Sequence, residues 1–123
     1  MATDGRQALG ISGENLACAE LRRRGYAILE RRYRTRLGEI DIIARDGATL
    51  VFVEVKARLT DDFGGAAAAV TAWKQRRIAR MAMDYLSRRT QADCPCRFDV
   101  VAIDVDAAGP RVIVYPNAFD SPF

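Results

Sequence analysis

The sequence predicts an α/β domain with helices on both faces of a mixed β-sheet, and three observations carry that prediction. A helix-patterned stretch is followed by a meander of three strand-like runs, an Asp-Gly turn punctuates the meander, and a second helical pattern precedes two further apolar runs. Gly13 to Arg24 has Glu14, Ala17, Cys18 and Leu21 at the i, i+3, i+4, i+7 spacing of one helix face, and Gly25 closes it. Tyr26 to Arg34, Glu39 to Arg45 and Thr49 to Ala57 read as strands. Arg58 to Ala69, with Gly64 and Gly65, reads as a loop into a helix from about Ala67 to Arg89. The apolar stripe of that helix, Val70, Trp73, Ile78, Met81, Ala82 and Tyr85, is expected in the core. Phe98 to Val105 is a fourth strand and Arg111 to Tyr115 a short fifth.

At 123 residues the chain has room for one domain with a single modest core. The expected layout is a flexible segment over 1–12, one domain over 13–119 and a tail over 120–123. The first residues lack an apolar core of signal-peptide length, and no run is long enough to span a membrane. Cys18, Cys94 and Cys96 are odd in number and contain no C-x-x-C pair, which argues against a zinc site or a disulfide framework and for a reducing, cytoplasmic setting. The absence of histidine removes imidazole bases and imidazole metal ligands.

Gly38 to Arg58 carries the chemistry. Leu50, Val51, Phe52, Val53 and Val55 are apolar on both strand faces, so the third strand is expected inside the sheet. Glu54 and Lys56 then sit at the end of a buried strand, on one face, roughly 6.5 Å apart along it. A two-residue turn at Asp46-Gly47 pairs Arg45 with Ala48 and Asp41 with Phe52, placing Asp41 diagonal to Glu54 on that face. A four-residue loop keeps this parity; a three-residue loop turns Asp41 away. Carboxylates crowded in this way need a cation or a proton between them, and oxygen donors suit Mg²⁺ or Mn²⁺. The metal would polarise a phosphodiester while Lys56 orients or deprotonates the attacking water. The alternative is a buried salt bridge between Lys56 and Glu54 or Asp41, and the residues alone leave the two readings level. Glu14, heading an otherwise apolar stripe, is either a dipole partner at a helix start or a side chain aimed at the site.

Of nineteen basic residues only Lys56 and Lys74 are lysine, so a lysine beside Glu54 hints that a compact, titratable ammonium is wanted there. Arg22, Arg23, Arg24, Arg31, Arg32, Arg34 and Arg36 fall within fifteen residues, opposed only by Glu30. Lys74, Arg76, Arg77, Arg80, Arg88 and Arg89 ride on the second helix. Such runs also serve as solvated helix faces and charge-protected edges; here, with a net charge of +3, they favour phosphate. The expected contact set is Arg22, Arg23, Arg32, Arg34, Arg36, Arg58, Lys74, Arg76, Arg77 and Arg80.

The order of Glu14, Gly25-Tyr26, Asp41 and Glu54-x-Lys56 resembles the PD-(D/E)XK nuclease superfamily, especially its Holliday-junction-resolvase-like branch. Over nearly its whole length the chain is similar to the UPF0102 (YraN-like) family of small bacterial proteins. The shared pieces are Gly38-Glu39-Ile40-Asp41, Leu50 to Lys56 with Arg58, Phe63-Gly64, Tyr85-Leu86, Arg97 to Val101 and Asn117-Ala118-Phe119. The resemblance implies a restriction-endonuclease-like single domain with a mixed central sheet of about five strands and helices on both faces. It implies Asp41 and Glu54 as metal ligands, Glu14 at the acidic position of the first helix, Lys56 beside the nucleophilic water, and Gln75 at a helix glutamine found in some branches. Arg32 stands where that family usually has asparagine, and Tyr115 where it often has histidine. The function expected is a Mg²⁺- or Mn²⁺-dependent endonuclease acting on DNA, including branched or distorted DNA, without a small-molecule cofactor and with homodimerisation left open. The alternatives are a nucleic-acid-binding module of the same fold without the chemistry, and a structural partner whose arginines meet an acidic protein.

Overall fold

The computed structural model describes residues 5–59, 70–89 and 94–120, with the side chains of 5–12 and 58–59 left aside. The chain order is α1 (Gly5–Arg23), β1 (Ala27–Thr35), β2 (Gly38–Asp46), β3 (Thr49–Leu59), α2 (Ala72–Arg88), β4 (Cys96–Asp106) and β5 (Gly109–Phe119). The five strands form one sheet in the order β1-β2-β3-β4-β5. β3 and β4 are parallel and the other neighbours antiparallel. Only the parallel pair needs a long crossover, and α2 lies within it. This is the single α/β domain with a mixed sheet that the sequence predicts, and its arrangement is consistent with a restriction-endonuclease-like fold. Among the described residues no helix is long and apolar enough to cross a membrane.

Alternation along the strands divides the core in two. Ala17, Cys18 and Leu21 of α1 pack with Ile42, Ala44, Val51, Val53, Val101 and Ile103. Ile78, Met81, Ala82 and Tyr85 of α2 pack with Ile40, Ile43, Leu50, Phe52, Phe98 and Val100 on the opposite face. The apolar run from Leu50 to Val53 feeds both clusters, so β3 is an interior strand, as its composition requires. A Cβ on Gly13 would lie 3.4 Å from Ile103 Cγ1 and 3.6 Å from Ala57 Cβ, so α1 comes close to the sheet beside the end of β3.

Four local expectations are corrected. α1 begins at Gly5 rather than Gly13. The hairpin turn is Gly47-Ala48, because Asp46 pairs with Thr49 and Ile43 with Phe52. The register is thereby two residues from the expected one, with Gly47 taking the positive φ of the turn at 61°. A two-residue shift preserves parity, so Asp41 still meets Glu54. β5 is eleven residues long, not a short run. Its position at the sheet edge is what tolerates Pro110 and Pro116. Finally, Trp73 is not core: it is 60% exposed. Val70 is buried but precedes the helix, which starts at Ala72 after the Thr71 N-cap, so the two do not share a helical face. The loop expected at 60–69, including Phe63-Gly64, and the segments 1–4 and 121–123 lie outside the described residues.

Candidate metal and nucleic-acid site

β2 and β3 separate where the acids lie. Their pairing extends from Asp46-Thr49 to Ile42-Val53, and the next position would set Asp41 against Glu54. There the Asp41 carboxylate enters between the strands, and its Oδ2 accepts the Val55 N–H at 2.8 Å. The alternation of β2 breaks at the same place: Ile42 packs on the α1 side and Ile40 on the α2 side, although residues two apart should share a face. Across the ladder, Arg31 pairs with Ile42 and Tyr33 with Ile40, which leaves Arg32 opposite Asp41. Arg32 has a φ of 52°, a left-handed backbone that asparagine adopts more readily than arginine.

Burial pushes the Asp41 carboxyl up, and the charges of Glu14 and Glu39 add to that, against the opposing Val55 and Glu54 hydrogen bonds. Burial, then the Asp41 charge, pushes Glu54 from an ordinary 4.5 up to about 7. The two carboxyls lie within hydrogen-bonding reach of each other, an interaction that works to lower Asp41 and raise Glu54. Two acids this close repel when both are ionised, and a proton or a cation relieves them. Lys74 and then Lys56 act on Glu54 in the opposite direction. Lys74, expected only as a phosphate contact, thus has the larger influence on the pair. Its backbone N–H is held by Thr71 Oγ1 at 3.2 Å, in the first turn of α2.

The remaining site candidates fall elsewhere. Glu14 is buried, with Arg31 Nε at 2.9 Å from its Oε1 and Arg32 Nε at 3.2 Å from its Oε2. It belongs to the α1 face, whereas the alternation of Leu50 and Phe52 puts Glu54 and Lys56 on the α2 face. Its charge acts on Asp41, but among the described residues no three acids or cysteines converge closely enough to hold a metal ion together. Gln75 Nε2 donates to Val70 O at 2.9 Å and steadies the entry to α2. Tyr115 pairs with Val100 and packs against the α2-side core.

The arginine-rich stretch does not form one surface. Arg22 and Arg23 end α1, where Arg23 binds Glu20 with its Nε at 3.0 Å from Oε1. Arg34 Nε lies 2.8 Å from Glu39 Oε1. Arg34 and Arg36 line a cleft of about 670 Å³ with Tyr33, Thr35, Asp84, Arg88 and Arg89. Leu37, Trp73, Arg76, Arg77 and Arg80 line a second cleft of about 210 Å³. Both clefts lie between the β1–β2 hairpin and α2. The side chain of Arg58 lies outside the described set; its backbone pairs with Asp104.

Two of the motifs have a structural role. Asp99, fully buried, receives the Tyr26 hydroxyl at 3.2 Å, Arg97 Nε at 2.9 Å and the Asn117 N–H at 2.9 Å. Arg97 also reaches Asp46 at 3.1 Å. Arg97-Phe98-Asp99 and Asn117-Ala118-Phe119 therefore tie β5 and β4 to the end of α1. Sequence reasoning missed this network, whose partners are separated by up to seventy-three positions.

The fold and these two acids define a single-domain α/β protein with a closely spaced carboxylate pair at a splayed strand end. Residues 13–103 match the model of the uncharacterised protein family UPF0102, and the chain belongs to that family. It is 47% identical to a UPF0102 protein of Geobacter metallireducens over 93% of each chain. It is 54% identical to one of Chlorobium chlorochromatii over 80% of this chain and 76% of that one. A solved structure of Pyrococcus furiosus SfsA in complex with Ca²⁺ is similar over 90% of this chain and 63% of that one, at 13% identity and a TM-score of 0.39. At that distance the likeness carries no inference about site or activity.

Proposed function

We propose that the protein is a Mg²⁺- or Mn²⁺-dependent phosphodiester hydrolase acting on DNA, with Asp41 and Glu54 as metal ligands. The observation that carries this reading is the pair of half-buried carboxylates, Asp41 and Glu54, that meet where the ladder between β2 and β3 ends, with Asp41 held by the Val55 N–H. The donor set fits a hard cation, which would leave further coordination positions to water. When bound, such a cation supplies Lewis-acid polarisation of the phosphodiester and stabilises charge on its oxygens.

The chain's own groups would do the rest. Asp41 is held in position by the Val55 N–H. Lys56, two residues beyond Glu54 on the same strand face, would orient a water for attack or take its proton. Lys74 and the arginines of α2 would hold the phosphate backbone next to the acid pair. Glu14 would act through the field it places on Asp41, because both its oxygens are engaged by arginine.

That engagement favours a second reading, a nucleic-acid-binding module of the same fold that has lost the chemistry. Cleavage of duplex, single-stranded and four-way-junction DNA with and without Mn²⁺ separates the two. The hydrolase reading expects Mn²⁺-dependent cleavage that Lys56→Arg lowers by on the order of a hundredfold while fold and DNA binding persist, since a guanidinium does not give up its proton. Cleavage at the parent rate by Lys56→Arg would reduce Lys56 to an electrostatic role. Binding without cleavage of any substrate would establish the module instead.

A further inference from the structure

We propose that the cleft between Leu37 and the first turns of α2 is a stacking site for an unpaired nucleobase, with the adjoining phosphates received by Arg76, Arg77 and Arg80. The inference rests on the nucleic-acid reading above and narrows it to DNA with an unpaired or extruded base.

Trp73 is 60% exposed and Leu37 45% exposed, although the rest of the large apolar surface of α2 turns inward, Met83 excepted. The two line the same cleft of about 210 Å³, and among the described residues the others that line it are Arg76, Arg77 and Arg80. An apolar floor, an indole and, among the described residues, three cations without an acid match a ligand that has both a flat ring and negative charge. A nucleotide combines these, and stacking on an aromatic face is how single strands are held without sequence preference. A duplex hides its ring faces, so the match is to unpaired bases.

Arg77 strengthens the assignment. Its Cζ lies 4.7 Å from the centroid of the Trp73 ring. Its Nε is buried and has no hydrogen-bond partner among the described residues. A buried donor left unmade costs on the order of 1–3 kcal/mol, and such groups call for a local reason. Here the guanidinium is fixed by the indole rather than neutralised by a carboxylate, and its charge remains for a phosphate. Gly38 faces the same arginine: a Cβ there would lie 3.9 Å from Arg77 Cζ and from Met81 Sδ, so the hairpin comes close to the guanidinium. An acidic peptide would satisfy the arginines but leave the indole without a partner.

Trp73 is the single tryptophan of the chain, so its fluorescence reports on this cleft alone. The intact protein in EDTA is titrated with oligothymidylate, an abasic oligonucleotide of equal length, a duplex and polyglutamate. Oligothymidylate should quench the fluorescence and bind on the order of tenfold more tightly than the abasic strand. Followed by the anisotropy of labelled oligonucleotides, since the variants lack the reporter indole, Trp73→Ala should remove the preference for the base-bearing over the abasic strand, and Trp73→Phe should keep most of it. Equal affinity for base-bearing and abasic strands, or quenching by polyglutamate as strong as by oligothymidylate, would overturn the proposal. Salt-dependent duplex binding beside such a result would leave the nucleic-acid reading standing. Failure to bind any nucleic acid would overturn both. Quenching as expected together with no cleavage in Mn²⁺ would support the stacking site and remove only the hydrolase.

Discussion

Buried Asp99 and the half-buried pair of Asp41 and Glu54 are treated in opposite ways. Asp99 meets a hydroxyl, a guanidinium and a backbone N–H, so its charge is answered from several directions. Asp41 and Glu54 meet each other, with one backbone N–H on Asp41. The first arrangement is complete and joins strands to a helix. The second is complete only with a proton or a cation, which is what separates a structural acid from one available for chemistry.

The largest expected effect breaks the complete arrangement. Asp99→Ala leaves the Tyr26 hydroxyl and the Asn117 N–H without their acceptor and strips Arg97 of its closer carboxylate, so we expect a loss of about 3–5 kcal/mol of stability. Urea denaturation measures it; a loss below 1 kcal/mol would show that Asp46 and water replace Asp99.

Glu54→Gln should behave in the reverse sense. In the metal-free protein Glu54 is protonated up to about pH 7, whereas in the unfolded chain it ionises near 4.5. Between those values the folded state binds more protons than the unfolded one, so stability falls as pH rises, by at most about 1.4 kcal/mol per unit, and levels off above. Below 4.5 the effect vanishes. Glutamine removes this slope, so in EDTA the variant should be no less stable than the parent at pH 7.5 and should draw level with it at low pH. Parallel stability profiles would mean that Glu54 ionises freely in the folded chain.

A smaller effect tests the backbone opposite the pair. Arg32→Asn relieves an arginine from a left-handed conformation and gives up one half-exposed contact to Glu14, which Arg31 still holds. We expect a gain of a few tenths to about 1 kcal/mol in a thermal melt. A clear loss would make Arg32, rather than Arg31, the main partner of Glu14.

Much of this comparison was legible in the sequence, and the missing parts share a cause. The run from Leu50 to Val55 announced an interior strand, and parity alone brought Asp41 to Glu54 even though the turn lies one residue later than the Asp-Gly signal suggests. The helix stripe Glu14, Ala17, Cys18 and Leu21 is buried as its spacing demands. What local pattern could not give was the choice of partner. Nothing in Glu14 or Asp99 says that the one is claimed by Arg31 and Arg32 and the other by Tyr26 and Arg97, because those contacts are made by tertiary packing. The phase of α2 was misjudged for a related reason: Val70 is buried by the fold rather than by the helix, so counting from it sent Trp73 inward. The arginines from Arg22 to Arg36, adjacent in sequence, were separated because the chain passes from α1 on one face of the sheet to a hairpin beside α2 on the other.

The proposal at the centre of the account is that Asp41 and Glu54 would hold a divalent cation, and calorimetric titration with Mn²⁺ of the parent beside Glu54→Gln and Asp99→Asn tests it most directly. The account predicts saturable heat for the parent, the same heat for any Asp99→Asn protein that remains folded, and none for Glu54→Gln despite its intact fold. Equal heats from the parent and Glu54→Gln would contradict it.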